Sequence, residues 1–182
     1  MLIAHAPSGY ILSSTILRKA HAVPAPCGAV IAAAILGALA PDFDMLYLHF
    51  VDHGRIHHHR YITHWPIFWL GLIALSSAIY ALWRRSAPAF LSLVFGLGGF
   101  LHVILDSLVG DILWFAPFLD KPYALFAVSA RYKPWWLSFL LHWSFAVEII
   151  ICLWACVLYR RRQHRHPGNL TSVDAMPVVI EP

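Results

Sequence analysis

The chain has 182 residues, enough for one domain, of which 60 % are hydrophobic and only 12 % charged. A mean hydropathy of +0.67 leaves too little polar surface for a soluble globular protein and places the chain in the membrane class. The net charge of +4 does not indicate nucleic acid, because the basic residues sit in short groups beside apolar runs (Arg18-Lys19, Arg84-Arg85, Arg160-Arg161-Arg162) and not along a polar face.

In chain order, the N-terminal MLIAHAPSGY has no basic region ahead of an apolar one, so insertion is expected to use internal segments. Residues 8–20 form a first helical candidate, capped by Ser8 and ending at Arg18-Lys19. Residues 28–40 are apolar but short, with Pro24 and Pro26 before them and Pro41 after. These two segments read as a hairpin of short or tilted spans; the alternative lays the first in the membrane interface. Three further spans, 66–83, 88–110 and 135–159, are each long enough to cross a hydrocarbon core, with Trp65, Trp69, Trp135 and Trp136 near their starts as an aromatic belt. The expected fold is all-α, a multi-pass transmembrane bundle of about five membrane helices over residues 1–160. Residues 161–182 are polar and aperiodic and are expected to form a disordered cytoplasmic tail. Cys27, Cys152 and Cys156 include no CxxC pair, so they read as small buried residues and not as a thiolate metal site.

Placing the basic groups at span ends on the inner side makes the chain start outside and finish inside. That orientation, set by Arg and Lys alone, brings His and Asp from four segments to the outer face. His5 opens the first span, and Asp42 and Asp44 (APDFD) follow the second. The stretch HHHRYITH, residues 57–64, precedes the third, and His102 and Asp106 (HVILD) lie in the last turns of the fourth. His102 and Asp106 are an i,i+4 pair on one helix face, roughly 12 and 6 Å below the span's outer end. An imidazole and a carboxylate so placed can ligate one divalent ion; the plain alternative is a hydrogen-bonded pair locking two helices. Asp42 and Asp44 can supply carboxylates to a hard or borderline cation, although an isolated DxD is more often a solvated turn or cap. Within HHHRYITH, His59 and His64 are the expected imidazole ligands and Arg60 is placed to face a bound anion. Thr63 is expected to cap the third span, with Pro66 in its first turn. His57 and His58 read as part of a wet loop. His142 is a candidate neighbour of the site, and Glu148, deeper, an interhelical partner or the lining of a watery cavity.

The order His5…Gly9, GALAPDFD (37–44), HRYITH (59–64) and HVILDSLVGDILWFAPF (102–118) resembles the YdjM family, bacterial inner-membrane proteins described as metal-dependent hydrolases. The likeness covers most of residues 1–118, and Gly110 and Pro117 fit the segment after HxxxD. The family is in turn similar to zinc-dependent phospholipase C proteins. By that likeness His5, Asp42, Asp44, His59, His64, His102 and Asp106 are the metal positions, holding one or two divalent ions, zinc first. The chain departs from the pattern at Trp65, where the family often has Ser, and in having a single HxxxD.

The leading expectation is an inner-membrane, metal-dependent hydrolase acting through a metal-activated water, with Asp44 and Arg60 in the chemistry. The substrate expected at that depth is a phospholipid or lipid-linked phosphate. A non-catalytic metal-binding envelope-stress or division protein is the second reading, and a metal or proton transporter the third, because the inner halves of the spans carry little besides His142 and Glu148. The sequence leaves the oligomeric state open.

Overall fold

Small residues are concentrated where two apolar helices cross, and that crossing is the centre of the fold. The computed structural model describes residues 1–165, apart from Leu2, His21, Gly54, Ile56, Ala127, Ala130 and Trp135. The described residues are all-α, with one isolated antiparallel bridge between Ile112 and Tyr123. The helices are α1 (His5–Lys19), α2 (Cys27–Leu39), α3 (Asp44–Phe50), α4 (Pro66–Leu82), α5 (Ala87–Asp106), α6 (Trp136–Leu140) and α7 (Ser144–Arg165).

α5 packs against α2 on one side and α4 on the other, while α1 packs on α2 and α7. At Gly98 of α5 a Cβ would lie 2.5 Å from the carbonyl oxygen of Ala34, and a Cβ at Gly37 of α2 would collide with the backbone of Phe95. Only glycine allows this approach, the small-residue packing that apolar helices use when no hydrophobic force drives them together. Val30, Ala34, Phe90 and Val94 fill the contact toward one end. Trp69, Val103 and Ile112 fill it toward the other, near the His and Asp residues.

Among the described residues, α5 is the single helix both long and apolar enough to cross a membrane; α2 with residues Pro41–Phe50, bent by 53°, makes a second if counted as one span. α4 is apolar but has 17 residues. The segments expected above as five spans are helices of unequal length, and length and composition mark one of them, or two with the bent pair, as able to cross a membrane. The first begins earlier than expected, at His5, and Ser8 is not its cap: the Ser8 hydroxyl donates to the His5 carbonyl. The carboxylate of Glu148, from α7, takes that role by accepting from the backbone N–H groups of Ile3 (2.6 Å) and Ala4 (3.2 Å). The fifth is not continuous. It breaks between α6 and α7, where the His142 ring accepts from the Ser144 backbone N–H and pairs with its hydroxyl, a local alternative to the helical ladder. Trp135, expected at its start, lies outside the described residues, as does the tail from 166 onward; α7 itself continues to Arg165. Pro66 does open α4, but Thr63 does not cap it. The N-cap position falls on Trp65, two residues later, and the Thr63 hydroxyl donates to the buried carboxylate of Asp44 at 2.5 Å, a strong charged acceptor.

Candidate metal centre

Four chain segments meet at the end of α5. His102 and Asp106, one turn apart, both point into the junction and are 0 % and 2 % exposed. A tight turn over Pro41–Phe43 follows α2 and presents Asp42, and α3 begins at Asp44. Two successive 3-10 turns, His58–Arg60 and Ile62–His64, fold HHHRYITH back so that His59 and His64 are both buried. The start of α1 supplies His5, whose ring stacks on that of His102 with centroids 3.7 Å apart.

Hydrogen bonds define which ring nitrogen faces inward. His102 Nδ1 lies 2.7 Å from the carbonyl oxygen of Ala38, which can only accept, so Nδ1 carries a proton and Nε2 is the nitrogen left for a ligand. His64 Nδ1 lies 2.8 Å from Asp44 Oδ2, with the same consequence. Asp44 is thereby committed to His64 and Thr63. The Nε2 atoms of His64 and His102 are buried and make no hydrogen bond. Each faces carboxylate oxygens: His102 Nε2 is 3.0 Å from Asp106 and 3.6 Å from Asp42, His64 Nε2 3.7 Å from Asp106 and 3.9 Å from Asp42. Lone pairs turned toward carboxylate oxygens repel one another unless a cation stands between them. Four ligands of a tetrahedral zinc ion, each about 2.0–2.1 Å from the metal, are separated by about 3.3 Å. The observed spacings bracket that value. Asp42, His64, His102 and Asp106 could therefore hold a metal ion.

Asp106 is the hub. Its Oδ2 faces His59 Nε2 at 3.6 Å as well as His64 and His102, and its Oδ1 faces His5 Nε2 at 3.2 Å and pairs with the N-terminal ammonium of Met1. Asp42, with 34 % of its side chain exposed, is the open side of the group. Of the residues expected from sequence, His5, Asp42, Asp44, His59, His64, His102 and Asp106 are brought together, with Asp44 reaching the others through His64. Arg60 is not: its guanidinium pairs with Asp120 at 2.5 Å on the exposed rim. His142 is engaged by Ser144 at the α6–α7 break. Sequence reasoning missed the Ala38 carbonyl, which no side-chain pattern marks, and the identity of Glu148's partners. The depth of Glu148 signalled that it needed donors, but not that they would be those of residues 3 and 4.

Burial holds the His64 imidazole below its usual pKa, against the raising effect of the Asp44 hydrogen bond, and burial pushes His58 down to about 3, aided by the neighbouring imidazole of His59. Both are neutral at pH 7, the state that binds metal. The unfolded chain takes up these protons near pH 6.5 and the folded chain only lower. For the metal-free protein, this contribution to stability is complete above pH 6.5 and is lost as pH falls below it toward 3. Thermal midpoints of chelator-treated protein are expected to be level from pH 8 to 7 and to fall through pH 6 and 5; a midpoint that rises on acidification contradicts neutral, buried imidazoles.

Comparison with curated proteins found no match, and comparison with solved structures found none either. The sequence profile of the family described as "YdjM inner membrane protein" matches residues 1–166, and with nearly the whole chain aligned and the His and Asp elements converging on one buried point, this chain belongs to the YdjM inner membrane protein family.

Proposed function

We propose that the protein is a membrane-embedded, metal-dependent hydrolase that cleaves a phosphoester of a lipid or lipid-linked substrate. The observation that carries this reading is the pair of Nε2 atoms of His64 and His102, buried without a hydrogen-bond partner and facing the carboxylates of Asp42 and Asp106. Zinc is the favoured ion, because a set of two imidazoles and two carboxylates suits a borderline cation. A bound divalent ion would supply Lewis acidity toward a phosphoryl oxygen and make water acidic enough to attack near neutral pH.

The chain's own residues do the rest. Asp44 fixes the His64 tautomer, and the Ala38 carbonyl does the same for His102, so neither ring can turn away from the site. His5 and His59 flank Asp106 and keep its two oxygens apart in role. Asp42, the most open carboxylate of the group, is the one placed to leave its ligand position to water and to accept that water's proton, with His64, His102 and Asp106 retaining the ion. Arg60 reaches the chemistry only by leaving Asp120, so its part is to draw an anionic headgroup to the rim. Phe43, Leu46 and Phe50, which follow Asp42 in sequence, are exposed apolar residues, and this fits an amphiphilic substrate approaching beside the bilayer. The charge pattern of the chain favours the outer face of the inner membrane for the site, with several helices crossing and the C-terminus inside.

The test is to purify the protein without chelators beside its His102→Ala/Asp106→Ala variant, then measure bound metal and phosphoesterase activity on lipid substrates. We expect wild type to carry tightly bound metal and to turn over, and the variant to lose both the tightly bound metal and the turnover. Metal-free wild type removes the site. Metal without turnover leaves the second reading, a non-catalytic metal-binding envelope protein, which also predicts that Arg60→Ala is tolerated.

A further inference from the structure

His58 stands outside the four-residue group, yet it is drawn into a second one. Its ring centroid lies 4.1 Å from that of His59 and 5.3 Å from that of His64, and those two are 4.9 Å apart. Each of the three offers a ring nitrogen within 4.8 Å of the others'. The backbone builds this set. The His57 ring accepts from the backbone N–H of His59 and fastens the first 3-10 turn, and the second turn, Ile62–His64, follows directly. Gly110 makes room beneath it, since a Cβ there would lie 2.5 Å from Cε1 of His59. His59 is 8 % exposed and its Nδ1 is buried with no hydrogen-bond partner.

Three imidazoles without a carboxylate select zinc, nickel or copper over magnesium or calcium. His64 has one nitrogen to give, Nε2, because Nδ1 is engaged by Asp44. That nitrogen belongs equally to the inner group of Asp42, His102 and Asp106, so one ion can use it at a time. His58 is half-buried while His59 and His64 are buried, so the His58 side is the more open one.

We infer that His58, His59 and His64 form an outer divalent-metal station, from which an ion passes to the inner group by ligand exchange around His64. In that exchange the bonds to His58 and His59 break as bonds to His102 and the carboxylates form, with no change in oxidation state. The inference rests on the inner group's binding metal, as proposed above.

The experiment uses tag-free, full-length protein in detergent, stripped of metal, with zinc delivered from a chromophoric chelator and followed by stopped flow. His58→Ala is expected to slow loading at least about tenfold while leaving the equilibrium zinc affinity within about twofold, and His57→Ala to leave both unchanged. The His102→Ala/Asp106→Ala variant is expected to retain one weakly held zinc ion that disappears when His58→Ala is added. Loading of His58→Ala at the wild-type rate overturns the outer station, as does residual zinc in the inner-group variant that is indifferent to His58. Those results leave the inner centre standing. Wild type that takes up no zinc overturns both.

Discussion

Asp106→Asn is expected to lower the protein's affinity for zinc by more than about 100-fold while leaving the helices assembled. The substitution keeps the shape of the side chain and removes its charge. Asp106 is buried at the meeting point of His5, His59, His64 and His102, and one of its oxygens faces three of those imidazoles at once. An amide offers one neutral oxygen and two N–H donors where a divalent cation needs anionic oxygen. Asp106 also pairs with the N-terminal ammonium of Met1, so the melt of the metal-free variant reads the loss of that buried ion pair separately from the loss of metal. The measurement is a zinc titration beside a thermal melt with and without chelator. In wild type the chelator should lower the melting temperature; in Asp106→Asn it should have no effect. A variant that still gains stability from zinc would show that the hub lies elsewhere. Asp44→Asn makes the contrast, since Asp44 acts through the His64 ring, and a loss of about 10–100-fold is expected there.

Glu148→Ala is expected to produce the largest loss of stability of any change away from the metal centre, about 2–4 kcal/mol. Glu148 is 3 % exposed and accepts from the N–H groups of Ile3 and Ala4, directly ahead of His5. Alanine would remove the acceptor of the buried Ala4 N–H and of the part-buried Ile3 N–H, and would also remove a negative charge from the positive end of α1. The start of α1 should then loosen, and with it the stacking of His5 on His102. Denaturation of detergent-solubilised protein measures the first effect. The second appears as weaker zinc binding that Glu148→Gln, which keeps a carbonyl acceptor, recovers in part. Unchanged stability in Glu148→Ala would mean that α1 is held by its packing on its neighbouring helices and not by the Glu148 hydrogen bonds.

The residues of the centre were legible because each is costly without a purpose. An aspartate and a histidine one turn apart in an apolar helix, a DxD after a short apolar run and a histidine-rich turn before another all stand out against a chain with so few charges. Arg and Lys positions then supplied a side of the membrane on which these segments could meet. The all-α class followed from the same apolar periods. Family membership is legible from the spacing of the same elements and holds over residues 1–166.

Roles were a different matter, because they depend on where hydrogen bonds go between segments far apart in the chain. Asp42 and Asp44 look equivalent in APDFD, but one faces the open side of the centre and the other lies behind His64, bonded to it and to Thr63. Arg60 has the chemistry for an anion, yet Asp120 on a distant loop holds it at the rim. His57 and His58 are alike in sequence, and the fold of two consecutive 3-10 turns brings only His58 within ligand reach of His59 and His64. Glu148 stood out by its depth but its partners did not, and the Ala38 carbonyl had no local signature at all. Composition and spacing determine which atoms are able to bind a metal. Only the crossing of α2 with α5, allowed by Gly37 and Gly98, decides which ligand atoms converge, since that approach is what sets the Ala38 carbonyl against one nitrogen of His102 and Asp42 against the other.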